Sequence, residues 1–224
     1  MKIFKDRKNL QREISSTKAI SFVPTMGGLH KGHISLIKKS KKTKHKTLVS
    51  IFVNPKQFNE KKDFKSYPRN QKKDLIILKK LNVNFVFIPK INQIFHTKKI
   101  TNIKIEKKNQ ILCAKFRKGH FEGVIKVMDR LTALIKPKKI FMGEKDYQQF
   151  YLVKKYLNKK YSSKMIQCKT IRDKNGIALS SRNLLLDKKN LFKAGKFIKD
   201  LMNLRNKYSK NNNFNKILNL KKKE

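Results

Sequence analysis

Residues 19–37 read AISFVPTMGGLHKGHISLI, and the fold follows from how that stretch changes character. Residues 19–25 form an apolar run of strand length, closed by Pro24 and the pair Gly27 and Gly28. Such a run is what a strand buried on both faces requires. Ile34, Leu36 and Ile37 then open a helix that turns lysine-rich by Lys44. The unit is therefore strand, glycine turn, helix.

Working outward, the alternation repeats. TLVSIFVNP (47–55) is a second β-branched run, stopped by Pro55, and a helical stretch over 70–81 carries Leu75, Ile76, Leu78 and Leu81. NVNFVFIP (82–89) reads as a third strand. Residues 121–135 are helical by the spacing of Val124, Val127, Met128, Leu131 and Leu134. KKIFMG (138–143) is a fourth strand, 148–157 a helix, and MIQCKTI (165–171) a fifth strand. Strands alternating with helices predict an α/β fold, a parallel sheet with helices on both faces. After Asn183 the chain reads as helix and then lysine-rich coil, ending in KKKE.

Composition bounds the function. The 224 residues are 38% apolar, with 15 Phe and 6 Tyr, enough to bury a sizeable core and too apolar for a disordered chain. The mean hydropathy of -0.64 and the lack of any apolar run near the roughly 20 residues of a membrane span argue against a membrane role. Cys113 and Cys168 lie far apart, and neither has a second thiol at zinc-ligand spacing, which argues against a disulfide scaffold or a structural zinc site. The first residues, MKIFKDRKNLQREISS, hold no apolar leader core, so a reducing, cytoplasmic setting is expected.

The net charge of +44 suggests nucleic acid at first sight. Yet the cations are 50 Lys and only 8 Arg, spread along the chain rather than gathered in one block. Arg makes the bidentate phosphate and base contacts, whereas Lys is a solvated point charge. Lys, Asn, Ile and Phe are enriched together, as an AT-biased coding sequence would give. No specific nucleic-acid partner is expected. Half of the arginines, Arg69, Arg117, Arg172 and Arg182, fall in or beside the motifs below.

Ligands of parallel α/β sheets gather outside the carboxyl ends of the strands, and four unusual segments follow strand ends here. In PTMGGLHKGH (24–33), two glycines allow close backbone approach, and His30 and His33 stand where a helix begins. A helix start offers N–H donors and positive potential to a phosphate, and imidazoles there can stabilise charge in transfer at phosphorus. The plainer alternative is that both histidines are capping residues. In SIFVNPKQF (50–58), Asn54 and Gln57 are amides suited to the hydroxyls and carboxylate of a small polar substrate, though Asn-Pro is also a common turn. MGEKDYQQF (142–150) crowds Glu144, Lys145, Asp146, Gln148 and Gln149 at a strand end, where a solvated helix start is the alternative. IRDKNGIALSSRN (171–183) offers small hydroxyls and Arg182 as a phosphate clamp.

PTMGGLHKGH, VSIFVNPKQF, YPR (67–69), RKGHFEGV (117–124), GEKDYQQ and ALSSRN occur in the order and approximate spacing of one family. Over residues 21–186 the chain resembles the pantothenate synthetases, the pantoate–β-alanine ligases of the H-x-G-H nucleotidylyl-transferase group. The resemblance implies a Rossmann-like domain, set at 1–175, a short helical lid domain at 176–224, and a homodimer. It also implies two steps. Pantoate attacks the α-phosphorus of ATP to give pantoyl adenylate and pyrophosphate, and the amine of β-alanine then displaces AMP.

By the same resemblance Met26, Gly27, Gly28, Leu29, His30, Lys31, Gly32 and His33 form the ATP loop. His30, His33 and Lys145 carry the catalysis, and His33 is the residue usually labelled proton donor. Gly143, Glu144, Lys145 and Asp146 resemble a nucleotide-binding segment, as do Leu179, Ser180, Ser181 and Arg182, with Ile171 near the adenine. Gln57 and Gln149 grip pantoate, Gln57 also faces β-alanine, Asn54 and Arg117 stand on the substrate side, and Asp74 lies near Mg²⁺.

The chain departs from the family pattern at Lys118, where proline is usual, and at Cys113 and Lys73, where acids are usual. Family members also continue for several dozen residues with further strands. Imperfect coupling is therefore expected, with more AMP released than pantothenate formed. Two alternatives stay open: a nucleotidylyl transferase with another acceptor, against which VNPKQF and GEKDYQQ speak, and a basic nucleic-acid-binding protein, against which the scattered lysines speak.

Overall fold

The structure, a computed structural model, describes residues 1–95 and 103–209. The lysine- and asparagine-rich tail read as coil lies outside the described residues. The chain divides into two compact units, Met1–Ile171 and Arg172–Glu224.

The first unit opens with β1 (Lys2–Phe4), α1 (Arg7–Ile14), β2 (Ile20–Thr25), α2 (Lys31–Lys41) and β3 (Lys46–Ile51). It continues through α3 (Lys61–Ser66), α4 (Gln71–Lys80), β4 (Phe85–Phe87), α5 (Ile91–Ile94) and α6 (Cys113–Phe116). α7 (His120–Ile135), β5 (Lys139–Gly143), α8 (Tyr147–Leu157) and β6 (Lys164–Cys168) complete it. The strands form one six-stranded sheet in the order β1-β4-β3-β2-β5-β6, every neighbour parallel. This is the expected Rossmann-like α/β architecture.

Side-chain alternation along the strands builds two cores. Ile20, Phe22, Leu48, Phe87 and Ile140 face one way, against Leu10 of α1, Leu131 of α7 and Val153 of α8. Val23, Val49, Val86 and Phe141 face the other way, against Ile37 of α2 and Leu78 of α4. Phe22, Leu48 and Ile37 are fully buried, each stabilising the fold by about 1.5–3 kcal/mol. Because both faces are covered, the strands read as continuous apolar runs.

The elements differ from the sequence reading at their ends. β3 stops at Ile51 instead of running to Pro55, because Pro55–Gln57 form a 3₁₀ turn whose Lys56 amide is capped by the Asn54 side chain. β4 covers only Phe85–Phe87 of its apolar run, and β6 ends at Cys168. The sequence reading contains neither β1 nor α1. β1 is a three-residue edge strand with Ile3 45% exposed, too short for a period, and α1 depends on Asp6, whose carboxylate accepts from the amides of Lys8 and Asn9.

From β2 the chain winds through β3 to β4 on one side of the sheet, then crosses to β5 and β6 on the other. The strand order therefore reverses between β2 and β5, where open α/β sheets leave a crevice at the carboxyl ends. In the second unit, Arg172 bridges Ala178 in antiparallel fashion, a 3₁₀ helix covers Ser181–Leu185, and α9 covers Lys188–Ser209. Among the described residues no helix is long and apolar enough to cross a membrane, and Cys113 and Cys168 are both free thiols.

Candidate functional site

The loop after β2 is shaped by glycine geometry and one carboxylate. Gly27 and Gly28 adopt φ of 81° and 62°, the left-handed region that side chains disfavour. A Cβ on Gly27 would stand 3.0 Å from Oδ2 of Asp74 and 3.2 Å from Ile51. Asp74, in the first turn of α4 and 2% exposed, accepts from the amide of Gly28 at 2.9 Å and from that of Leu29 at 2.7 Å. Thr25 Oγ1 accepts from the Gly27 amide and donates to the Ser50 carbonyl. The loop is thus preformed, with its amides already committed.

Two of the expected site residues are engaged inside the protein. Leu29 belongs to the α2-side core at 7% exposure, its side chain packed inside. Asp74 braces the glycine loop with both oxygens. That carboxylate is buried, and each of its oxygens is taken by a loop amide. Mg²⁺ favours one or two available carboxylates plus phosphate oxygens and water. The residues here do not fit a protein-held magnesium site.

His30 and His33 cap α2 and each other. Nδ1 of His30 accepts from the Gly32 amide at 3.1 Å, and Nδ1 of His33 accepts from the His30 amide at 3.4 Å. The rings lie 4.1 Å apart between centroids. A nitrogen that accepts an N–H carries no proton, so the neutral rings bear theirs on Nε2. Burial, followed by the charge of Lys145, pushes the His30 pKa down. Burial, then His30 and Lys145, push His33 down to about 3. Both imidazoles are neutral donors at pH 7. Capping through Nδ1 leaves Nε2–H of each ring outside the cap, so the capping reading of H-x-G-H does not exclude the functional one.

Beyond β5, Gly143 has ordinary extended geometry, and a Cβ there would meet open space. Glu144 accepts from Nε2 of Gln167 at 2.9 Å and from the Thr170 amide at 3.0 Å, which hold its carboxyl below the usual range. Its side chain thus ties the end of β5 to the segment after β6. Lys145 stays exposed, loosely paired with Asp146 at 3.3 Å, and its charge reaches both imidazoles. Gln149 lies half-buried on the first turn of α8. The neighbouring Gln148 donates to the carbonyls of Asn109 and Ile111. Lys31 is exposed and Met26 and Gly32 are partly buried around the loop, while Ile171 ends the first unit partly buried.

After β3 the two amides separate in role. Asn54, 1% exposed, accepts from the Lys56 amide and donates from Nδ2 to Oε1 of Gln57 and to the Gly123 carbonyl. Every polar atom of that side chain is engaged inside the protein. Gln57, 9% exposed, is held at Oε1 and donates from Nε2 to the sulfur of Met26 at 2.8 Å. A thioether is a weak acceptor, easily exchanged for a ligand oxygen.

Arg117 caps α6, its amide donating to the Cys113 carbonyl, and is partly buried. Leu179, Ser180, Ser181 and Arg182 belong to the second unit. There the Ser180 hydroxyl caps the 3₁₀ helix by accepting from the Arg182 amide, and Ser181 is 5% exposed. Sequence reasoning missed His120 and Gly123, which stood inside RKGHFEGV without a role. A glycine within an apolar helical stretch was the available signal.

Residues 2–224 match the family model described as Pantoate-beta-alanine ligase. The pantothenate synthetase of Pseudothermotoga lettingae is 43% identical over 182 residues, covering 81% of this chain and 65% of that protein. That of Thermosipho africanus is 38% identical over 199 residues, covering 88% and 72%. Among solved structures, a pantoate-beta-alanine ligase from Francisella tularensis, complexed with beta-gamma ATP and beta-alanine, superposes with a TM-score of 0.85. It is 39% identical, over 89% of this chain and 78% of that one. A pantothenate synthetase from Thermus thermophilus gives a TM-score of 0.84 at 30% identity, over 90% and 74%. The chain spans about two thirds of the length of the first two relatives, 65% and 72%.

Proposed function

The chain belongs to the pantoate-beta-alanine ligase family, and from that premise we propose that it joins pantoate to β-alanine at the expense of ATP, forming pantothenate, AMP and pyrophosphate. The observation that carries this reading is the pair of neutral imidazoles capped through Nδ1 at the start of α2, beside Lys145 at the reversal point of the sheet.

In the first step a pantoate carboxylate oxygen attacks the α-phosphorus of ATP, and the bond to the bridging oxygen of pyrophosphate breaks. Nε2–H of His30 and His33 donates to phosphate oxygens, and the Lys145 ammonium offsets the charge gathering on them. A neutral His33 does this as a fixed hydrogen-bond donor rather than as an imidazolium acid. Nε2 of Gln57 exchanges the Met26 sulfur for a pantoate oxygen, with Gln149 beside it. In the second step the β-alanine amine attacks the acyl carbon and AMP leaves with the bonding pair, the amine giving up a proton. Positioning and charge stabilisation supply the rate, with no covalent enzyme intermediate.

The Mg²⁺ of the reaction is proposed to arrive on the nucleotide's own phosphate oxygens. The cytoplasm, where ATP is supplied, is the proposed setting. A homodimer is proposed as well, supported by the exposed apolar patch of Ile111, Leu112 and Phe116 at 56%, 69% and 80% exposure, and light scattering reads it. The activity test is to measure AMP and pantothenate while omitting ATP, pantoate and β-alanine in turn. Pantothenate formation that needs all three supports the reading, and its absence from the complete mixture overturns it.

A further inference from the structure

Gln57 is held in place by more than its side chain. The 3₁₀ turn Pro55–Gln57 lies directly on α7, where a Cβ on Gly123 would stand 2.2 Å from the Lys56 carbonyl oxygen and 3.1 Å from Cα of Gln57. Only glycine permits that approach. The Gly123 carbonyl accepts Nδ2 of Asn54 at 3.0 Å, and the same nitrogen donates to Oε1 of Gln57. Three residues before Gly123, at the first position of α7, His120 is 6% exposed and its Nδ1 lies 2.6 Å from the Gln57 carbonyl oxygen. A carbonyl only accepts, so Nδ1 of His120 carries the proton.

These contacts converge on one amide. Oε1, the carbonyl and Cα of Gln57 are each fixed by α7 or by Asn54, and Nε2 is left on the weakly accepting sulfur of Met26. Moving the turn would carry Nε2 with it, because the amide hangs from that backbone. The His120 bond is the shortest of the set, and it acts on the backbone from which the amide hangs.

We propose that His120 is a positioning residue for substrate binding: its Nδ1–H locks the Gln57 carbonyl so that the Gln57 amide presents Nε2–H to the hydroxy-acid substrate. This rests on the ligase reading of the site. The competing view is a buried histidine serving packing alone, edge-on against Phe121 at 4.8 Å.

Two near-isosteric variants separate the views. In His120→Asn the amide nitrogen can occupy the place of Nδ1, whereas in His120→Gln it reaches the place of Nε2. Initial rates are measured with pantoate and ATP varied in turn, using the full chain. His120→Asn is expected to keep the pantoate KM within about threefold of the parent, and His120→Gln to raise it about tenfold or more, the scale of one lost hydrogen bond. The ATP KM is expected to stay within about twofold in both. Equal loss in the two variants, failure of both to fold, or an equal effect on ATP assigns His120 to the scaffold and overturns the proposal. The ¹⁵N spectrum of the parent protein's imidazoles gives a reading that needs no variant. A histidine protonated at Nδ1 is expected, and its absence overturns the proposal. A parent protein with no pantoate-dependent turnover would instead sink the ligase reading, while the tautomer reading would still stand.

Discussion

At the carboxyl ends of β2 and β5, a buried carboxylate, Asp74, and two imidazoles, His30 and His33, bond to the backbone amides of one loop. At the amino ends of β2, β3 and β6, a buried carboxylate, Asp129, and an imidazole, His45, bond to side chains. Asp129 takes the ammonium of Lys160 at 2.8 Å and the phenol of Tyr161 at 2.8 Å, and His45 meets the hydroxyl of Ser21 at 3.2 Å. By distance alone, Ser21 and His45 would pass for a nucleophile and its base. Yet Ser21 is fully buried and also bonds Thr43, at the end of the sheet where ligands do not gather. Groups that bond side chains close upon one another and staple the scaffold. Those that bond loop amides set a backbone shape, and the two imidazoles among them keep Nε2–H outside the cap.

The sharpest way to break this contrast is His33→Ala. Pantoate-dependent pyrophosphate release is expected to fall by about 10²–10³, the scale of a lost preorganised donor, with the thermal midpoint little changed. Normal turnover would remove His33 from the chemistry, and simple unfolding would make it a cap alone.

The two carboxylates come next. Asp74→Ala orphans two loop amides, at about 1–3 kcal/mol each, and is expected to lower turnover about tenfold or more. Raising Mg²⁺ is not expected to restore it, and full restoration would mark Asp74 as a metal ligand. Asp129→Ala is expected to lower stability by about 1–3 kcal/mol, since Lys160 keeps much of its exposure, while turnover per folded molecule is unchanged. Denaturant melts read beside initial rates separate the two. Equal behaviour would erase the distinction between the ends of the sheet.

The last is a pH dependence. The folded-state pKa of His33 lies at about 3, below its ordinary value of 6.5. Its contribution to stability is therefore fully present above pH 6.5 and lost as pH falls toward 3, because the unfolded chain takes up the proton first. Melts in that window are expected to show a shallower acid slope in His33→Ala than in the parent.

The sheet was legible because its strands are buried on both faces, so AISFVPT and KKIFMG stand out as apolar runs between glycines and helices. β1 escaped because three residues at an edge carry no period. The placement of His30, His33 and Lys145 just beyond strand ends was legible from the apolar runs that precede them. The division of labour between Asn54 and Gln57 was not, because two amides three residues apart look alike until the close approach of Gly123 shows which one is enclosed. The role of Asp74 was hidden for a similar reason. Its partners are backbone amides 45 and 46 residues away, and amides leave no mark in a sequence.

The most direct test is isotope exchange between labelled pyrophosphate and ATP, catalysed by the chain with pantoate present and β-alanine left out. Exchange that depends on pantoate, persists without β-alanine and fails in His33→Ala is the expected result. Exchange indifferent to pantoate, or none in a folded protein holding both substrates, would contradict an adenylate-forming site at the carboxyl ends of β2 and β5.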